Sequence, residues 1–324
     1  MVQSTTYGRR LLLVHAHPDD ETINNGATMA RYVVDGAGVT LVTCTRGEEG
    51  EVLVPALEHI GPEHADTLGA HRENELAEAM AALGVTDYRY LGERGEFRDS
   101  GMAYDDRNRA VARATIRPGT FWATDLLVSA NRLVAILREV RPHVLVTYDE
   151  NGAYGHPDHI QAHRVATYAH ALAANPSYRL DLGTPWSVPK VYWNAMPRST
   201  MERWVEASKE MDTDFFRVES VDDVPFVVDD ALVTTEIDGR DQLEQKMAAM
   251  RAHATQIAVE GPFFALSNHI GWRAFGVEHY RLVHGELGPV DPVSGRETDL
   301  FAGLEGAPDR AAGASRAAGA PTVG

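Results

Sequence analysis

The chain has 324 residues, 44% of them hydrophobic and 24% charged, with a formal net charge of −17 and a single cysteine. That is ordinary globular composition with ample material for a core, and its acidity argues against nucleic acid and anionic membrane surfaces, which select basic patches. The lone Cys44 excludes an intrachain disulfide and, in its apolar run, reads as a small buried hydrophobe.

No apolar stretch approaches the roughly 20 residues needed to span a bilayer. The head MVQSTTYGRR is followed by only four apolar residues, too few for a signal segment. A soluble, cytoplasmic protein is expected, with oligomeric state open and a homo-oligomer among the options.

In chain order, residues 11–16 read as a fully buried strand, apolar without alternation. Residues 26–35 read as a helix closing at Gly36, and 39–45 as a second strand rich in β-branched residues. Strand, helix, strand is a βαβ unit and implies a parallel sheet. A helix over 72–83 stops at Gly84, and 88–91 is a short strand. Residues 125–140 form an amphipathic helix with Asp125 as N-cap, 144–148 a buried strand and 157–174 a helix. Beyond this the periodicity weakens: strands are expected at 188–193, 226–228 and 278–283, and a helix at 241–253. The fold class is α/β, a Rossmann-like doubly wound and mainly parallel sheet. It divides into a catalytic core over 1–174, a C-terminal α+β extension over 175–304 packed on the same core and completing the substrate site, and an Ala/Gly/Pro-rich tail over 305–324 expected to be disordered.

Chemistry concentrates after two of the strands. VHAHPDDETINNG (14–26) follows the first, and NGAYGHPDH (151–159) follows the strand at 144–148. Doubly wound sheets bind ligands at the carboxyl ends of their strands, so both loops deliver His-Pro-Asp to the mouth of the sheet. Clustered carboxylates and histidines without a cation would pay heavily for desolvation, which points to a metal. His17 and Asp20 share one loop, and His159 is the natural third ligand. Two histidines and a carboxylate leave open positions on zinc and also suit ferrous iron. Asp19 then remains as a free carboxylate, and His156 lies one turn from His159.

HPDDE at 17–21 and GHPDH at 155–159 resemble the two signatures of the zinc-dependent N-acetylglucosaminyl deacetylases related to the glycosylphosphatidylinositol-pathway de-N-acetylase. TCTRGEEGEV (43–52), HADTLGAHRENEL (64–76), FRDSGM (97–102), RPHVLVTYDENGAYGHPDH (141–159) and AHATQ (252–256) extend the likeness toward the branch that deacetylates N-acetylglucosaminyl-inositol in mycothiol biosynthesis. The resemblance implies one Zn2+ per subunit on His17, Asp20 and His159, with Fe2+ as an alternative. It implies Asp19 as general base, His156 as a protonated acid facing the oxyanion, Asp158 as its tuner, and Tyr154 as a mobile tyrosine near the carbonyl oxygen. It further implies Arg72, Asp99 and Glu51 as contacts to a small amino-sugar inositol substrate. His15 and His163 are expected to pack behind the ligands. The related amidase of mycothiol S-conjugates carries a lysine soon after HPDDE; here the stretch is TINNGAT, which favours the deacetylase. An Fe(II) oxygenase would use the same triad but has no use for Asp19 and His156, and a dinucleotide binder would need G-x-G-x-x-G after the first strand.

Overall fold

The apolar run at the start of the chain is buried on both sides because alternate residues feed two different cores. In the computed structural model, which describes residues 8–106, 109–210, 220–258 and 276–304, β1 (Arg10–His15) is central. Leu12 and Val14 pack with one cluster, Leu11 and Leu13 with the other, and all four are fully buried. Burial of such side chains stabilises the fold by about 1.5–3 kcal/mol each, and it explains a strand without sequence alternation.

After β1 come α1 (Asp20–Val34), β2 (Gly38–Thr43), α2 (Leu68–Leu83) and β3 (Asp87–Tyr90). Next are α3 (Leu126–Val140), β4 (Val144–Thr147), α4 (Pro157–Ala174) and β5 (Lys190–Asn194). The remainder supplies α5 (Arg198–Glu210), β6 (Thr235–Asp238), α6 (Leu243–Ala252) and β7 (Val277–His284). Asp125 caps α3 as expected, accepting from the Leu127 and Val128 amides. Gly84 ends α2 at φ 75°, a conformation that favours glycine.

The seven strands run in the order β6-β7-β5-β4-β1-β2-β3. From β5 to β3 all neighbours are parallel; β7 pairs antiparallel with β5, and β6 antiparallel with β7. The chain therefore reverses its direction of winding between β1 and β4, and this switch point is where such sheets open a crevice. Both His-Pro-Asp loops leave from these two strands. Strands from beyond residue 174 extend the same sheet, so its C-terminal part shares the central layer.

Two expectations need correction. The first helix begins at Asp20, six residues before the expected Gly26. Its opening turns bury Glu21, Thr22 and Asn25, polar residues of which Glu21 and Asn25 find partners far along the chain in His253, Asn194 and Tyr280, so hydrophobic spacing could not reveal them as helical. The helix expected over 72–83 likewise begins earlier, at Leu68, and the helix α5 and the strand β6 carried no expectation at all. The tail over 305–324 lies outside the described residues. Among those residues no helix is long and apolar enough to cross a membrane.

Candidate active site

The first loop turns sharply to bring its carboxylates inward. Asp19 has φ 125° and ψ −37°, a conformation non-glycine residues rarely adopt and hold only under constraint. Its amide donates to Glu21 Oε2 at 2.9 Å, and its Oδ2 accepts from Arg72 Nη2 at 3.1 Å. Asp20 opens α1 and accepts from the His17 amide at 3.0 Å. The second loop needs Gly152, at φ 60°, because a Cβ there would come within 2.6 Å of His159 Cβ. α4 then starts at Pro157 with His156 as N-cap, its Nδ1 accepting from the Asp158 amide at 3.1 Å.

Across the switch point these side chains meet. Asp20 Oδ2 lies 3.3 Å from both His17 Nδ1 and His159 Nε2. Ligand atoms of His17, His156 and His159 lie within 4.8 Å of one another, as do those of His17, Asp99 and Asp158. Both ring nitrogens of His159 are buried without a hydrogen-bond partner; the approach of Nε2 to Asp20 lacks hydrogen-bond geometry. A desolvated imidazole with nothing to bind, facing a carboxylate and a second imidazole, is the donor set a divalent cation completes. The excess of carboxylates over cationic groups points the same way.

The charges bear this out. Burial would favour neutral Asp20, but His159 and His17 overcome it and hold the carboxyl well below its ordinary range. Burial works against a charged His17, yet Asp99, Asp158 and Asp20 raise its ring well above the usual imidazole value. Asp19 moves the other way. Burial lifts it, Arg72 pulls it down and Asp20 adds to the rise, leaving it at about 6. Burial, then His17 and His159, push His156 well below the ordinary value. A neutral ring whose Nδ1 accepts a backbone hydrogen bond carries its proton on Nε2. These directions favour a neutral His156 that offers Nε2–H as a donor, where the resemblance implied a protonated acid.

The structure assembles His17, Asp20, His159, Asp19, His156 and Tyr154 around one centre. The Tyr154 ring lies 5.1 Å from His159 and 6.2 Å from His156. Asp158 is near, but its carboxylate faces His17 Nε2 at 3.4 Å and the Ser100 amide and hydroxyl, at 2.8 and 2.5 Å; it reaches His156 only through its own amide. Arg72 is 2% exposed and bonds the Gly47 and Pro18 carbonyls as well as Asp19. Asp99 accepts from the Glu49 and Gly101 amides at 3.1 and 2.8 Å and lies 3.5 Å from His17. Glu51 is exposed at the rim, its carbonyl accepting from Gln256. His15 bonds Asn25 and Tyr148, and His163 the Tyr148 carbonyl, both behind the centre as expected.

Five further residues were given no role in the sequence reading. Tyr148 stacks on His159 at 4.4 Å and its hydroxyl accepts from the Ala16 amide at 2.9 Å; it looked like no more than the end of a strand. Lys246 and Glu278, 2.7 Å apart, are buried beside α1, binding the Ile23 carbonyl and the Ala27 and Thr28 amides. Glu21 pairs with His253 at 2.8 Å. The one available signal was charge at core-facing helical positions. A cleft of about 600 Å³ lies over the centre, lined also by Met196, Met201, Trp204 and Phe226, a size that suits a small organic ligand.

The family described as "PIG-L: GlcNAc-PI de-N-acetylase" matches residues 12–170. A protein of Geodermatophilus obscurus is 58% identical over 303 residues, covering 93% of this chain and 100% of the relative. One of Streptomyces avermitilis is 58% identical over 298 residues, 91% and 97% of the two chains. Both relatives are named 1D-myo-inositol 2-acetamido-2-deoxy-alpha-D-glucopyranoside deacetylase. Among solved structures, the N,N'-diacetylchitobiose deacetylase of Pyrococcus horikoshii aligns with a TM-score of 0.56 at 20% identity, over 88% of this chain and 87% of that one. A 4-carboxy-2-hydroxymuconate hydratase of Pseudomonas putida aligns with 0.56 at 18% identity, over 87% and 99%. At such identities the likeness speaks for the fold alone, and the hydratase underlines that the fold does not choose the reaction.

Proposed function

Because the chain belongs to the GlcNAc-PI de-N-acetylase (PIG-L) family, we propose that it hydrolyses the acetamide of 1D-myo-inositol 2-acetamido-2-deoxy-alpha-D-glucopyranoside, releasing acetate and the free amine, a step of mycothiol biosynthesis. Full-length similarity to relatives of that name carries this reading. The site is chemically suited to it.

His17, Asp20 and His159 would hold the metal, and we propose zinc. When bound there, zinc supplies Lewis acidity, bringing the pKa of water to about 7 and polarising a carbonyl. The chain's own groups do the rest. Asp19 sits beside the ligands with its carboxyl at about 6, ionised at neutral pH yet basic enough to take the proton of the attacking water. His156 presents Nε2–H, and with the Tyr154 hydroxyl it faces the charge developing on the amide oxygen. A neutral imidazole held below its usual range is a poor acid, so the amine leaves with the proton that Asp19 has just acquired. Asp158 orients His17 through their 3.4 Å contact and joins it to the Ser100 loop. Arg72 holds Asp19; with Asp99 and Glu51 it also lines the cleft, and these three are the proposed sugar and inositol contacts. Arg72 and Asp99 are buried, and recognition of hydroxyls by buried polar groups gives strong discrimination against a substrate that lacks them.

The test is acetate release from N-acetylglucosaminyl-inositol, from N-acetylglucosamine and from a bimane-labelled mycothiol conjugate. The inositol compound should exceed plain N-acetylglucosamine in kcat/KM by about 10²-fold or more. Equal kcat/KM for the two sugars would reduce the reading to a general amino-sugar deacetylase, and preference for the conjugate would make the protein an amidase.

A further inference from the structure

We infer that His253 is a positioning residue, acting through Glu21 on the backbone of Asp19. The inference rests on the reading of Asp19 as general base. Asp19 keeps its unusual backbone conformation only because something holds it, and its amide has one charged acceptor, Glu21 Oε2 at 2.9 Å. Glu21 is fully buried, and its other oxygen accepts from Thr22 Oγ1 at 2.7 Å and His253 Nε2 at 2.8 Å. Among the described residues His253 is the one ion-pair partner of this carboxylate. A carboxylate removed from water cannot remain a good acceptor without such a partner. His253 is fully buried too, and its Nδ1 has no partner, so the ring's hydrogen bonding goes to Glu21.

The mount beneath the imidazole is rigid. His253 directly follows α6, and its carbonyl accepts from the Gln256 and Ile257 amides at 3.0 and 2.8 Å. Thr255 donates its amide and hydroxyl to the two oxygens of Glu75 on α2, at 2.8 and 2.7 Å. Gln256 ties the turn to the Glu51 carbonyl. His253 itself does not line the cleft, so through it the C-terminal extension acts on the reaction centre from behind: a fixed imidazole holds a carboxylate, which holds the amide of the base. Glu21 bridges the two through opposite carboxylate oxygens, Oε2 to the Asp19 amide and Oε1 to His253, so loss of the ring is passed to the Asp19 amide. Were the pair only a staple between two parts of the chain, its loss would weaken folding whatever stood at position 19.

The experiment is a double-mutant cycle of His253→Ala against Asp19→Ala on the metal-loaded enzyme, with acetate release, metal content and thermal midpoint measured for each variant. His253→Ala should lower kcat by about 10- to 100-fold, the scale of a misplaced catalytic group, with KM and metal content nearly unchanged. His253→Gln keeps a donor without the charge and should recover much of the loss, remaining about three- to tenfold down. In the Asp19→Ala background neither substitution should slow the residual rate further. Should the alanine variant fail to fold, the glutamine variant carries the same cycle. Additive losses, or an effect confined to KM or metal content, overturn the inference while leaving Asp19 as base. A fully active Asp19→Ala enzyme removes the base assignment and the inference together.

Discussion

Arg72→Lys separates holding the proposed base, Asp19, from binding a sugar. Arg72 is 2% exposed, with Nη1 2.8 Å from the Gly47 carbonyl, while Nη2 serves the Pro18 carbonyl and Asp19 Oδ2, the latter at 3.1 Å. Lysine keeps the charge but brings one compact ammonium in place of a planar fork. It cannot span three acceptors on both sides of the original guanidinium, so two bonds should be lost. At about 1.5–3 kcal/mol for each bond to a charged group, and with partial relaxation, the cost is about 3 kcal/mol of stability. Gly47 offers no slack, since even a Cβ at that position would collide with Nη1. Because Asp19 is released with the Pro18 carbonyl, kcat should fall about 10- to 100-fold while KM changes little. Urea unfolding and steady-state acetate release measure the two effects. A variant with wild-type kcat and a strongly raised KM would refute the argument and return Arg72 to the role of sugar contact alone.

His17→Ala, Asp20→Ala and His159→Ala should each lose bound metal by elemental analysis, whereas Asp19→Ala should retain it and lose about 10²–10⁴-fold in rate; a metal-free Asp19→Ala enzyme would reverse the two aspartates. His156→Ala should retain metal and lose about 10²–10³-fold in kcat, and near-normal turnover would remove it from the mechanism. Glu297, fully buried, accepts from Lys190, Tyr192, Thr235 and the Gly288 amide at 2.6–2.8 Å; Glu297→Ala strands the Lys190 ammonium and should cost about 3–5 kcal/mol in urea unfolding, and a negligible loss would refute the stranded charge. Burial and then His284 lower His170 from 6.5 to about 4, so the folded state resists a proton that the unfolded chain takes up. Its contribution is present above pH 6.5 and is lost as pH falls from 6.5 toward 4, at no more than about 1.4 kcal/mol per unit. His170→Gln should flatten that part of the stability profile, and an unchanged slope would exclude His170.

Some of this could be read without the fold, because its signals are local. Leu11–Val14 is apolar enough to be a buried strand wherever it lies, and the 3.6-residue spacing of 125–140 and the glycine at 84 mark helices and their ends. His17, Asp19, Asp20, His156 and His159 are close in sequence within two loops, and each loop follows a strand. A doubly wound sheet brings such loops to one edge, so the centre could be assembled on paper. Other features depended on pairs with no sequence proximity. The early start of α1 at Asp20 is hidden because Glu21 and Asn25 are polar, and their burial is offset by His253 for the one and by His15, Asn194 and Tyr280 for the other. Arg72 reads as an arm for sugar, and only the fold shows that it is also held against two carbonyls and Asp19. Asp158, adjacent to a turn bearing His156, has its carboxylate directed to His17 and Ser100 by the pitch of α4. The strands β5 to β7 join the same sheet, although their own periodicity is weak, because edge pairing and the Lys190–Glu297 contact hold them. Backbone propensity and side-chain spacing act over a few residues and are written in the chain. A buried charge takes its meaning from whichever partner replaces its lost water, and that partner is chosen by the tertiary fold.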